Sequence, residues 1–120
     1  MKSYIPALIV LVIVLCAHLA GLHGFYYTIP QYDIFMHIIG GIGIAFFLHG
    51  LVISSSPRHE TSDKIIFAVF IVGVAWELFE AYYNIAGAPV GTKAYYIDTI
   101  KDLCDDVIGA VIATYIIFRK

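Results

Sequence analysis

Charge is what this chain has least of. Seven lysines and arginines and nine aspartates and glutamates make up 13% of its 120 residues, about half the usual share of a soluble domain. That leaves too little polar surface to cover a soluble protein of this size, so the composition points to a small integral membrane protein. No basic run is present, which argues against a nucleic-acid surface. Cysteine is nearly absent too: Cys16 and Cys104 stand in apolar stretches and form no CxxC motif. They read as small packing residues, and a disulfide between them stays open. No nucleophile–base pair appears. Gly40-Gly41-Ile42-Gly43 falls inside a helical pattern, so it reads as packing rather than as a phosphate loop. Repeats and low-complexity stretches are missing, and the length leaves room for one domain.

What is abundant is apolar. Hydrophobic residues make up 61% of the chain and mean hydropathy is +0.88. The pattern predicts an all-α bundle of four transmembrane helices, over residues 5–22, 34–53, 65–83 and 98–118. The first run follows Lys2 and resembles a signal peptide, but bulky His18 spoils the small-x-small cleavage pattern, so a retained helix is expected. Ser54-Ser55-Ser56-Pro57 marks a turn after the second span, and Gly87 to Gly91 marks the loop before the fourth. Lys2, Arg58, Lys64, Arg119 and Lys120 fall on one side. The positive-inside rule then places both termini in the cytoplasm of a cell bounded by a cytoplasmic membrane. Tyr26, Tyr27, Tyr32, Tyr82, Tyr83, Tyr95 and Tyr96 gather near the other boundary, as an interfacial belt or as the lining of a site.

Seven of the nine acids crowd that same outer end: Asp33, Glu77, Glu80, Asp98, Asp102, Asp105 and Asp106. At about 1.5 Å rise per residue, Glu77 lies about 20 Å above Lys64, and Asp105 and Asp102 about 21 and 25 Å above Arg119. His37 lies about 25 Å above Ser54 and Asp33 about 31 Å. The three counts agree on one slab in the outer third of a hydrocarbon core about 30 Å thick. Carboxylates at that depth must face protein or water rather than lipid. Asp33 and His37 share a helix face, as do Glu77 and Glu80, and as do Asp98, Asp102 and Asp105. Gly41, Gly73 and Gly109 each lie about one turn deeper, as a close-packed floor beneath an acidic bowl. Asp106 points off the Asp102/Asp105 face and reads as a rim charge, while Asp98 divides between site residue and helix cap.

So many carboxylates cannot all stay ionised without protons or cations to offset them, and Lys101 and Lys93 cover only part of the deficit. The expected site is a divalent-cation site, for Mg²⁺, Mn²⁺, Ca²⁺ or Zn²⁺, with His37, Glu77, Glu80, Asp102 and Asp105 as ligands. The oxygen-rich set leans toward Mg²⁺, Mn²⁺ or Ca²⁺, and the Glu-x-x-His motif of di-iron bundles is absent. Asp33 is a base or outer-shell candidate, and Lys101 could meet an anionic group of a substrate. The competing reading is that these acids merely pair with Lys101, tyrosines and each other to fix helix register. His18 reads as a satisfied core histidine and His23 as a loop residue. His49 lies at the inner end, His59, Glu60 and Asp63 read as a solvated loop, and Trp76 reads as packing.

Tyr32-Asp33 with His37 and Gly40, Glu77 with Glu80, and Asp98-Thr99-Ile100-Lys101-Asp102 with Gly109-Ala110 resemble the YjdF-like membrane proteins. A similar order of D…H, E and D…G occurs in the VanZ-like family, associated with glycopeptide-antibiotic resistance. The resemblance runs from about Tyr32 to Ala110 and implies a polytopic membrane protein with a shared polar site. This chain is shorter than the YjdF-like proteins, which implies a reduced core with fewer helices. Three functions fit: a metal-dependent site acting on or binding a lipid-linked or envelope substrate at the outer face, a cation or proton transporter component, and a structural membrane subunit. A homodimer would suit a chain this short.

Overall fold

The computed structural model describes residues 4–51 and 57–119. Lys2, Lys120 and the Ser54–Ser56 turn lie outside them, as do residues 52–53 of the expected second span. The described residues are helical with no strand among them: α1 (Ile5–Ala20), α2 (Tyr32–Leu51), α3 (Arg58–Tyr83) and α4 (Lys93–Phe118). Pro6 stands in the first turn of α1, where a missing N–H costs nothing. Beyond Ala20 the chain winds through a wider turn, Gly21–Phe25, and a short helical turn, Tyr26–Thr28. Gly24 permits this bend with φ of 125°. Aromatic side chains pin it. Tyr32 donates its hydroxyl to the Ala17 carbonyl at 2.5 Å, and the Tyr26 hydroxyl lies 3.0 Å from His18 Nδ1.

Two helices begin earlier than the apolar pattern indicated. α3 starts directly after Pro57, so His59, Glu60 and Asp63 stand in its first turns rather than in a loop, although all three stay exposed. Hydropathy misses this because an exposed helical end needs no apolar face. α4 starts at Lys93, capped by Thr92, whose Oγ accepts from the Tyr95 backbone N–H at 3.3 Å. Asp98 is therefore inside the helix and not its cap. Asn84 closes α3 in the left-handed conformation, φ 56°.

Among the described residues three segments are long and apolar enough to cross a membrane: Ile5–Thr28, Tyr32–Leu51 and His59–Tyr83. α4 is as long as α3, but its middle carries Lys101 and four aspartates. Asp102, Asp105 and Asp106 of α4 are buried, while large apolar residues such as Leu8, Leu15, Phe67, Leu78 and Ile100 are exposed. This is the arrangement expected of a protein whose solvent is hydrocarbon. The long axis of the molecule, 44 Å, matches a bilayer with its headgroups, about 40–45 Å. Cys16 and Cys104 are free thiols on exposed faces, not packing residues.

The helices meet through small residues. Ala45, Ala110 and Ala113, with Ile65 and Val69, form the buried core. α2 and α4 make the most extensive contact in the molecule. At Gly41 a side chain would strike the Asp106 carbonyl, and at Gly109 it would strike the Ile38 carbonyl and come within 3.0 Å of the Ile42 nitrogen. The two backbones touch, as small-xxx-small packing allows.

Candidate functional site

One turn above this contact, α2 presents Asp33 and His37 and α4 presents Asp98, Lys101, Asp102, Asp105 and Asp106. Close backbone approach of α2 and α4 brings these side chains together. The His37 imidazole is the centre. Its Nδ1 lies 3.1 Å from Asp106 Oδ1, within hydrogen-bond distance. Its Nε2 lies 3.6 Å from Asp33 Oδ1 and 3.7 Å from Asp102 Oδ2, beyond hydrogen-bond distance from either.

Lys101 takes the other oxygen of each carboxylate. Its Nζ lies 3.2 Å from Asp33 Oδ2 and donates a short hydrogen bond to Asp102 Oδ1. Asp105 Oδ2 at 3.8 Å and Asp98 Oδ1 at 3.9 Å complete its surroundings. Asp33 and Asp102 thus each divide between an ammonium and an imidazole. His37 and Asp102 side chains are 9% and 4% exposed, whereas Asp33 is 45% exposed, so the site is closed beneath and open above.

Sequence reasoning missed Asp106. It is not a rim charge: it is buried, one carboxylate oxygen faces His37 and the other lies against Gly73 of α3. The signal was present, because Asp106 follows Asp102 by four residues and so shares its face. Gly73 is small because the carboxylate occupies the space a side chain would need.

α3 contributes at longer range. Glu77 is 5% exposed, with Oε1 lacking a hydrogen-bond partner, and it feels the charges of His37, Asp106 and Asp98. Glu80 feels Glu77, His37 and Asp33, and its Oε1 accepts from the Trp76 indole N–H at 3.0 Å. Trp76 therefore does more than pack. Buried Asp105 Oδ2 also lacks a hydrogen bond and has only the distant Lys101 ammonium. His18 is satisfied by Tyr26, and His49 stacks edge-on with Phe118 at the far end, so neither joins the cluster.

Asp33, His37 and Asp102 each offer one ligand atom, all within 4.8 Å of one another. Their distances suit an ion with modest contraction, since donors about 2.0–2.2 Å from a metal lie about 3 Å or slightly more apart. If Nδ1–H donates to Asp106, the Nε2 lone pair faces two carboxylates, and a cation or a proton on one of them relieves that repulsion. A carboxylate behind a ligating histidine is the usual support of a metal-bound imidazole. If instead both nitrogens carry protons, the imidazolium is itself the counter-charge.

The chain matches, over residues 3–120, the family described as "Predicted membrane protein (DUF2238)". No curated protein and no solved structure matches it. The chain belongs to this DUF2238 family of membrane proteins, to which the YjdF-like proteins also belong.

Proposed function

We propose that this membrane protein holds a divalent cation between α2 and α4 and uses it on a lipid-linked or envelope substrate at the outer face of the cytoplasmic membrane. One observation carries the reading. His37 Nδ1 lies 3.1 Å from Asp106, its Nε2 lies 3.6 and 3.7 Å from Asp33 Oδ1 and Asp102 Oδ2, and these three residues offer ligand atoms within 4.8 Å of one another. Unpartnered buried oxygens on Asp105 and Glu77 are available to complete the shell, and Glu80, tied to Trp76, contributes from outside. Of Mg²⁺, Mn²⁺, Ca²⁺ and Zn²⁺, the carboxylates suit Mg²⁺, Mn²⁺ or Ca²⁺ and the imidazole suits Zn²⁺, and Mn²⁺ serves as the probe ion. Such an ion would polarise an oxygen or activate water. In this reading Asp33 serves as a ligand rather than as the base, and Lys101 would meet an anionic group such as phosphate. The reading takes α4 as a fourth crossing, its acids shielded by α2 and α3, and takes the orientation from the basic residues.

The test is elemental analysis of protein purified in detergent without chelators. Wild type should carry close to one divalent ion per chain, and a His37→Ala/Asp102→Asn double variant should carry none. Equal, near-zero metal in both would sink the proposal. That result would favour a second reading, supported by the four carboxylates within 4 Å of Lys101. In that reading the cluster is an ionic lock that sets the register of α2 against α4.

A further inference from the structure

At the opposite end of the bundle a groove of about 520 Å³ runs between the start of α3 and the end of α4. Ile66, Val111 and Phe118 line its apolar part, and His59, Ser62, Thr114, Tyr115 and Arg119 supply its polar groups. Neither acid of that end, Glu60 or Asp63, lines it. Among the described residues the lining therefore offers a guanidinium, an imidazole and three hydroxyls beside a hydrocarbon wall, with no carboxylate. From this complementarity we infer that the groove binds one anionic phospholipid. The phosphodiester would lie against Arg119 and His59, with Ser62 and Tyr115 as hydrogen-bond donors, and an acyl chain would lie along Ile66 and Val111.

The physical case rests on matched chemistry at a matched depth. Arg119 is the last described residue, just beyond the end of α4, and His59 and Ser62 stand in the first turns of α3. Both sets sit at the end of a span, where headgroups lie. Ile66 and Val111 lie further into the bundle, where acyl chains lie. Guanidinium pairs with phosphate through parallel N–H donors, and basic pockets between membrane helices are suited to anionic headgroups. A volume of this size takes a headgroup and the first part of a chain, not a whole lipid. The groove shares no residue with the His37 cluster, so this inference stands independently of the metal reading.

The experiment is native mass spectrometry of the full chain released from mixed micelles holding equal phosphatidylglycerol and phosphatidylcholine. Wild type should retain one phosphatidylglycerol in clear preference to phosphatidylcholine. Arg119→Gln should lower that preference about fivefold, the effect of one basic residue near an anionic headgroup. Lys64→Gln removes a charge from the same end but not from the groove, and should change the preference less than twofold. Ile66→Trp, which fills the apolar wall, should reduce retention of either lipid, with circular dichroism confirming the fold. An equal loss from Lys64→Gln and Arg119→Gln would overturn the proposal in favour of diffuse surface attraction. No preference in wild type would overturn it outright. A wild-type dimer that Ile66→Trp dissociates would overturn it in favour of a second copy as the occupant.

Discussion

Replacing Gly109 by alanine should unlock the site without touching any of its polar groups. A methyl there would strike the Ile38 carbonyl and sit 3.0 Å from the Ile42 nitrogen and 3.1 Å from the Ile38 carbonyl carbon. Comfortable contact needs about 3.5 Å or more, and both obstacles are backbone, so no rotamer relieves them. α4 must withdraw from α2 by roughly 0.5–1 Å. His37 Nδ1 and Asp106 Oδ1 stand at 3.1 Å, and that movement takes them beyond hydrogen-bond range. Overpacking costs about 1–3 kcal/mol. Loss of a hydrogen bond to a charged group adds about 1.5–3 kcal/mol. Alanine returns about 1 kcal/mol through helix propensity. The net expectation is destabilisation of about 1.5–5 kcal/mol. Gly40 supplies the control, because nothing lies within 4 Å of a side chain there. Gly40→Ala should be neutral or stabilising by up to about 1 kcal/mol. Equilibrium unfolding of both variants in the same detergent, followed by circular dichroism, measures the difference. If the two alanines agree within about 0.5 kcal/mol, the backbone contact of α2 and α4 is not what holds the site, and the reasoning fails.

Further expectations follow from the same geometry. Asp106→Asn keeps an acceptor for His37 but removes the charge behind it, so Mn²⁺ affinity measured by equilibrium dialysis should fall about 10–100-fold. Lys101→Met removes the ammonium that shares Asp33 and Asp102, so Mn²⁺ should bind at least about tenfold tighter while the metal-free protein becomes less stable to heat. Trp76→Phe removes the indole donor to Glu80 and should cost about 1 kcal/mol in the same unfolding assay, with metal content unchanged.

Much of the molecule was legible in the chain itself. Scarce charge and long apolar runs determine a helical membrane protein, because a bilayer leaves no other way for a short chain to satisfy its backbone. Counting helix rise brings Asp33, His37, Asp102 and Asp105 to one depth, since helices have a fixed pitch. What linear counting lacks is the rotation of each helix about its axis and the distance between axes. The close approach of Gly41 and Gly109 decides those two quantities, and with them which of seven acids meet. Tertiary structure set Asp106 behind His37, divided Asp33 and Asp102 between Lys101 and the imidazole, and tied Glu80 to Trp76. It also showed Glu77 buried with an oxygen left unpartnered, which no periodicity reveals. The sequence by itself determined that acids would gather at one end of a bundle. Only the packing of two backbones, with no side chain between them, decided that one histidine would stand at their centre.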